Sequence, residues 1–303
     1  MMNLTDFQQK IQVALPGISL RFSEPMSRHT SFRIGGPAAV MAFPETAEEL
    51  AEILKKSALL DIKPAILGAG TNVLAPDEGI DGLVICLKDA LDGMELLADN
   101  CIRVAAGVTM TRAAVFAAGK GLGGLEFAHG IPGTVGGGVY MNAGAYGGEI
   151  VQVCKSVDVM AMDGTLQTVS GADMGFSYRH SRLEDEGGIV VSAVFQLTPA
   201  DPEQIRGTMQ DLMNRRKTSQ PLDLPSAGSA FKRPVGGYAA ALIDQAGLKG
   251  FAVGDAAVSE KHAGFVVNLG QATAQQVREL LAKVSRIVEE NSGIRLEPEV
   301  RIW

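Results

Sequence analysis

The hexapeptide SYRHSR (177–182) crowds together Arg179, His180 and Arg182. A guanidinium is a planar fork that can grip a carboxylate or phosphate through two parallel hydrogen bonds. The plainer reading of such a run is a solvated loop. Further along, SAGSAFKRP (226–234) sets Ser229 in a glycine-bounded turn with Lys232 and Arg233 close behind. No G-x-S-x-G elbow surrounds this serine, so a hydrolase triad is not indicated. Tyr238 adds a ring, Lys249 in GLKG an ammonium, and His262 in SEKHAG an imidazole whose plainer role is structural. LEPEVR (296–301) carries Glu297 and Glu299. Strand alternation puts both on one face, so spacing alone does not choose between them, and an edge strand facing solvent is the simpler alternative. No pair of these residues alone establishes a chemistry.

Two glycine-rich segments could hold what those groups act on. GAGTN (68–72) follows an apolar run but has Val73 where the dinucleotide fingerprint G-x-G-x-x-G requires glycine. It reads either as an anion-binding nest of bare backbone N–H groups, helped by Thr71 and Asn72, or as a plain tight turn. HGIPGTVGGGVYMNAGAYGGE (129–149) has eight glycines in 21 residues, interleaved with Ile131, Val135, Val139 and Met141. Such a segment lets a flat, diphosphate-bearing cofactor lie against main chain, or else is a buried crossover with no ligand.

Composition narrows the classes. The chain has 303 residues, 46% of them hydrophobic, and 34 acidic against 27 basic groups for a net charge of -7. That balance disfavours nucleic acid as a partner. The three cysteines, Cys86, Cys101 and Cys154, form no CxxC pair, which argues against a disulfide framework or zinc site and for a reducing cytoplasm. No apolar run reaches the length of a membrane span, and MMNLTDFQQKIQ has no features of a secretory signal.

The elements that must position these residues alternate in type. Residues 1–20 read as a lead-in helix and 39–43 as a strand. A helix follows, capped by Thr46 with Glu49 as its capping-box partner, and buries Leu50, Ile53 and Leu54. A strand running into a glycine turn is expected at 64–72, strands at 82–87, 101–107 and 188–197, and a helix at 111–121. Asp163-Gly164 between two alternating runs predicts a type I′ hairpin. Pro199 and Pro202 suggest a boundary near residue 200. Beyond it come a helix at 203–216, a Pro/Gly/Ser loop at 217–236 and a helix at 237–247. A strand at 264–269 and a long helix opened by Thr273 and Gln276 and closed by Gly293 precede a terminal strand. The class is α+β with two or three lobes.

Taken in order, HTSFRIGGPA (29–38), LGAGTNVL (67–74), GLEFAHGIPGTVGGGVYMNAGAYGGE (124–149), SYRHSRL (177–183), AGSAFKRP (227–234), AGLKGF (246–251), SEKHAGFVVN (259–268) and LEPEV (296–300) resemble the UDP-N-acetylenolpyruvoylglucosamine reductase (UDP-N-acetylmuramate dehydrogenase) family in its shorter form. The resemblance covers roughly residues 20–302. It implies a two-lobed FAD domain of the vanillyl-alcohol-oxidase (PCMH) type over residues 1–200, with lobes at about 1–95 and 96–200, and an α+β UDP-sugar domain over 201–303. It further implies non-covalent FAD, NADPH as hydride donor and UDP-GlcNAc enolpyruvate as substrate, in a cytoplasmic, monomeric enzyme of peptidoglycan synthesis with no metal.

Residue by residue, the resemblance assigns Arg179 as the clamp on the substrate carboxylate, which also lies against the cofactor, Glu299 as the partner of the developing charge and Ser229 as proton donor. A protonated Glu299 requires a raised pKa, and Ser229 requires a polarising neighbour such as Lys232. FAD contacts are implied at Arg33 and Ile34, at Gly68, Ala69, Gly70, Thr71, Asn72 and Val73, at His129, Gly130, Ile131, Pro132 and Gly133, and at Gly136, Gly137, Asn142, Gly144 and Ala145. Substrate contacts are implied at Tyr178, Lys232, Arg233, Tyr238, Lys249 and His262. Arg233 stands where several family members have asparagine, and the strand bearing Glu299 is expected to be pinned by sheet pairing. Two competing readings are an oxidase of a small hydroxy acid or alcohol on the same scaffold and a non-catalytic flavin module. Neither accounts for the later motifs.

Overall fold

The computed structural model describes residues 4–88 and 90–303, so the first three residues of the expected lead-in helix lie outside the described residues. The chain forms two compact units, each built from three segments. The first comprises 1–22, 39–69 and 82–215; the second comprises 23–38, 70–81 and 216–303. A cut near residue 200 leaves two short segments, 23–38 and 70–81, on the other side from the unit they join.

In the first unit the helix Ala47–Leu59 buries Leu50, Ile53 and Leu54, as its periodicity predicts. Its cap differs in one detail. Thr46 Oγ1 accepts the Glu49 N–H at 3.1 Å, but the Glu49 carboxylate takes the Glu45 N–H at 2.6 Å. One sheet runs in the order Ser19–Pro25, Pro37–Phe43, Ile80–Cys86, Ala65–Leu67. A second, antiparallel sheet runs Leu166–Ser170, Cys154–Met160, Ile189–Gln196, Cys101–Ala105, Met94–Leu96. One hydrophobic core serves both, with Val40, Leu83 and Ile85 in the same cluster as Ile102, Val104 and Phe195. The helix Met110–Gly119 ends where expected, Lys120 and Gly121 following it.

The hairpin at Asp163-Gly164 forms, with a different turn. Gly164 has φ 81° while Asp163 does not have positive φ, and the Gly164 N–H reaches the Ala161 carbonyl at 2.9 Å. A type I′ turn needs positive φ at both central residues; this loop has one left-handed glycine after an ordinary turn. The Asp163 carboxylate is occupied by the Thr165 N–H at 2.8 Å, which favours that shape.

In the second unit an antiparallel sheet runs Ser226–Ser229, Phe265–Asn268, Ala256–Val258, Ala252–Val253. The first of these strands lies inside the stretch expected to be loop. The helix Ala274–Ser292 has the full capping box of Thr273 and Gln276 and ends at Gly293 with φ 71°. Its two leading N–H groups, of Ala274 and Gln275, donate to the Asp77 carboxylate at 2.7 and 3.0 Å. Val277, Leu280, Leu281, Val284 and Val288 are buried in this unit's own core with Phe32, Leu74, Phe231 and Val266. The terminal strand Arg301–Ile302 pairs in parallel with Val73–Leu74, so it is pinned as expected. Among the described residues no helix is long and apolar enough to cross a membrane.

Candidate functional site

The first unit holds the glycine block and Arg179. Residues 133–136 are laid on the 106–110 segment by three main-chain bonds: Met110 N–H to Gly133 O (3.0 Å), Val135 N–H to Val108 O (2.8 Å) and Gly136 N–H to Ala106 O (2.9 Å). Thr134 then caps the short helix Val135–Tyr140, its hydroxyl accepting the Gly137 N–H at 3.4 Å. Four of the block's eight glycines answer to protein packing, at 136, 138, 144 and 148. A Cβ on Gly136 would meet Ala106 Cβ at 2.9 Å, one on Gly138 would meet Met110 Sδ at 2.7 Å, and one on Gly148 would enter the Phe127 ring. Gly137 is different: it is exposed, and its Cβ would meet only Thr134 Oγ1, at 3.7 Å. Gly68 faces the same hydroxyl, where a Cβ would come within 2.9 Å. The start of the GAGTN turn and the capped helix thus share one corner.

Asn142 organises the far end of the block. It is buried in a left-handed conformation with φ 45°. Its amide donates to Glu149 Oε2 (3.1 Å) and the Ser177 carbonyl (3.0 Å), and its oxygen accepts the Val151 N–H (3.0 Å). The buried Ser181 adds a bond to the Tyr140 carbonyl at 2.6 Å. Between these ties, Arg179 sits half-buried with φ 56°, its guanidinium 5.0 Å from the Tyr178 ring centroid and Nη2 donating to the Gly144 carbonyl at 3.2 Å. The other two basic side chains of SYRHSR turn elsewhere, His180 to Asp185 (3.0 Å) and Arg182 to Glu186 (2.6 Å). Sequence reasoning misses Glu149, Thr134 and Ser181, although a threonine two residues ahead of GGG is a readable cap signal.

The fit of a flavin dinucleotide to this unit can be judged on its own residues. His129 Nδ1 is buried with no hydrogen-bond partner among the described residues. An orphaned ring nitrogen in the same unit as the open Gly68–Thr134–Gly137 corner suits a polar ligand lying on main chain. Gly130, Ile131 and Gly133 are half-buried, Pro132 exposed, and Ala69, Gly144 and Ala145 half-buried. The residues present fit the group.

The second unit holds Ser229 and Glu299. The chain just after the strand Ser226–Ser229 and the extended segment 297–299, which carries Glu299 ahead of the strand Arg301–Ile302, meet at an isolated bridge of Phe231 and Pro298, with Glu299 N–H to Ala230 O at 2.9 Å and Lys232 N–H to Glu297 O at 2.8 Å. The two glutamates therefore part company. Glu297 is exposed and ion-paired to Lys232 at 2.5 Å, whereas Glu299 is half-buried. Ser229 is exposed at its strand end. Arg233 stacks over the exposed Tyr238 ring at 3.9 Å, and Lys249 pairs with Asp244 at 2.9 Å. His262 is half-buried against Phe265; burial chiefly, with the Lys249 charge added, depresses its pKa below 6.5 against an opposing backbone hydrogen bond. Of the remaining motif residues, Arg33 is exposed with φ 57°, and Thr71, Asn72 and Val73 are half-buried. The Ile34 side chain is packed in the core, so only its main chain can meet a ligand. Gly70 is required by packing: with φ 61°, a Cβ there would lie 2.1 Å from the His29 carbonyl. Among the described residues no group of three or more His, Cys, Asp or Glu could hold a metal.

Residues 37–170 match the family model for an FAD binding domain, and residues 220–303 match that for the UDP-N-acetylenolpyruvoylglucosamine reductase C-terminal domain. Fold and family models together define an α+β flavoprotein oxidoreductase. A UDP-N-acetylenolpyruvoylglucosamine reductase 2 of Symbiobacterium thermophilum is 46% identical over 289 residues, 94% of this chain and 92% of that one. The UDP-N-acetylenolpyruvoylglucosamine reductase of Lactococcus lactis subsp. cremoris MG1363 is 46% identical over 95% of this chain and 96% of its own. The crystal structure of the Thermus caldophilus enzyme of that name superposes with a TM-score of 0.79 at 36% identity, covering 94% of this chain and 98% of that one. The chain belongs to the UDP-N-acetylenolpyruvoylglucosamine reductase family.

Proposed function

We infer that this chain reduces the enolpyruvyl ether of UDP-N-acetylglucosamine to UDP-N-acetylmuramate, using NADPH and FAD, in the peptidoglycan pathway. Gly68, His129 and the Thr134–Gly137 corner would hold FAD, which when bound would supply the hydride that the double bond accepts. The chain's own residues handle the charge and the proton. Arg179, fixed by its bond to the Gly144 carbonyl, holds the substrate carboxylate. As hydride adds, negative charge moves onto that carboxylate, and a guanidinium already in place stabilises it without reorganising. Ser229 delivers the proton to the α-carbon, completing addition of H⁻ and H⁺ across the C=C bond. Glu299 hydrogen-bonds the same developing charge. Lys232, shared with Glu297, and Lys249, shared with Asp244, are suited to the diphosphate, with Arg233 and the Tyr238 ring beside them and Tyr178 and His262 as further substrate contacts. The enzyme acts as a cytoplasmic monomer.

The observation that carries this reading is the pairing of the Ser229 and Glu299 segments, which sets Ala230 directly against Glu299 in one unit. An anaerobic two-step assay tests it. Ser229→Ala should still have its flavin bleached by NADPH but should not be reoxidised by the enolpyruvyl sugar. Normal turnover of this variant would remove Ser229 as the donor. Lys249→Ala should raise KM for the UDP-sugar; an unchanged KM sinks that contact.

A further inference from the structure

Between the Gly70–Leu74 turn and the two segments that carry Ser229 and Glu299 lies a set of bonds that none of the assigned roles uses. Asn72 Nδ2 donates to the main-chain carbonyl of Glu299 at 3.1 Å, and Asn72 O accepts the Arg301 N–H at 3.0 Å. One residue thus holds the chain on both sides of Val300, and the parallel pairs Val73–Arg301 and Leu74–Ile302 continue the grip. Ser31 does the same for the other strand. Its hydroxyl donates to the Ser226 carbonyl at 2.6 Å with Gly70 O at 3.3 Å, while its N–H donates to Gly70 O at 3.0 Å. The second half of GAGTN is therefore the common anchor of the strand that ends in Ser229 and of the segment that carries Glu299.

We propose that Ser31 and Asn72 are positioning residues for the protonation half of the reaction, suspending the Ser229 and Glu299 segments from the Gly70–Leu74 turn. The inference rests on the roles given to Ser229 and Glu299 above. The segments' mutual bonds lie between residues 230–232 and 297–299 and fix their register. The distance of each segment from the turn is set by the Ser31 and Asn72 side-chain bonds, together with the main-chain ladder of 72–74 with 301–303. A displacement of about 1 Å in a reacting group costs on the order of 100-fold in rate. A hydrogen bond of 2.6–3.1 Å to a main-chain carbonyl is the kind of tie that sets such a distance.

The test uses the flavin-loaded enzyme and the variants Asn72→Ala, Asn72→Asp, Ser31→Ala and Ser31→Thr. Asn72→Asp keeps the shape but removes the donor; Ser31→Thr keeps the hydroxyl. Flavin reduction by NADPH and reoxidation by the enolpyruvyl sugar are timed separately across pH, flavin content is measured, and amide exchange is followed for residues 226–232 and 297–303. Reoxidation should fall about 10- to 100-fold more than reduction in Asn72→Ala, Asn72→Asp and Ser31→Ala. The pH dependence of reoxidation should shift, and Ser31→Thr should recover most of the rate. Faster amide exchange with an unaltered reoxidation rate would reduce the ties to scaffolding and overturn the proposal. So would a parallel fall of both half-reactions in step with lost flavin, which would make Asn72 a cofactor contact only. Glu299→Gln separates the two levels. If it reoxidises normally, the role of Glu299 itself fails; if it is slow while Asn72→Ala is fast, only the positioning inference fails.

Discussion

Replacing Gly137 with alanine should strengthen the fold and weaken the cofactor site at once. Gly137 is the third residue of the helix Val135–Tyr140, exposed, and an added Cβ would meet Thr134 Oγ1 at an ordinary 3.7 Å. Nothing in the unit resists the methyl, so the backbone term applies: alanine in place of a helical glycine is worth about 0.5–1 kcal/mol. For a chain of this size that raises the apo-protein Tm by roughly 1–4 °C. The same methyl projects from the corner assigned to FAD, and pushing a close-lying ligand back should cost at least about 1.4 kcal/mol, a tenfold loss of affinity. Gly136→Ala is the control. Its Cβ would sit 2.9 Å from Ala106 Cβ and 3.2 Å from the Ala106 carbonyl, so overpacking of about 1–3 kcal/mol should lower Tm. Calorimetry of flavin-free protein and titration by quenching of flavin fluorescence read the two effects separately. A Gly137→Ala protein that is stabilised yet binds FAD with wild-type affinity would refute the placing of the cofactor at that corner.

Three further outcomes follow from local geometry. Asp77→Ala strips the carboxylate that accepts the first two N–H groups of the helix Ala274–Ser292 and should cost about 1–2 kcal/mol in urea unfolding; an unchanged midpoint would contradict the capping assignment. His262 has a folded pKa below 6.5, so the unfolded chain takes the proton first as pH falls. Its contribution is complete above pH 6.5 and is lost as pH falls through the folded value. His262→Gln should therefore flatten the unfolding midpoint's pH dependence below 6.5, and an identical slope would show that another group titrates there. Burial pushes the Cys154 thiol up to about 12, so it stays protonated at neutral pH and native protein should take up iodoacetamide at Cys154 only after denaturant is added.

The helices were readable because their signals are local. Thr46, Thr273 and Gln276 are caps that act within four residues, and the apolar spacing of 274–292 needs no partner to be recognised. What stayed hidden depends on distant chain. Ser226–Ser229 reads as loop because its ladder partners are Phe265–Val267, some forty residues on. The Asn72–Glu299 bond spans 227 positions, and nothing about either residue announces the other. The segments 23–38 and 70–81 join the second unit through the same kind of contact. SYRHSR shows the limit from the other side: residue types mark three candidates, but only folding shows that Asp185 and Glu186 take His180 and Arg182 and leave Arg179 against the glycine block. The glycines likewise divide into those required by Ala106, Met110, Phe127 or His29 and exposed ones at 137 and 147, a distinction that spacing does not carry.

Arg179 offers a last, sharper test of what the site holds against its own stability. It has φ 56°, a left-handed conformation that costs an L-residue with a Cβ about 1–2 kcal/mol and glycine nothing. Asn142 and Tyr146, in the neighbouring block, are held the same way at 45° and 54°. Asparagine tolerates this region; arginine does not, so a guanidinium at this position is kept at the expense of the backbone. Comparing Arg179→Ala with Arg179→Gly isolates the strain, because both lose the bond to the Gly144 carbonyl equally. The glycine variant should unfold at higher urea, by about 1 kcal/mol, while neither variant is reoxidised by the enolpyruvyl sugar. Equal stabilities would mean that the left-handed turn carries no strain. A glycine variant both more stable and still active would mean that the strain serves something other than holding the substrate's carboxylate.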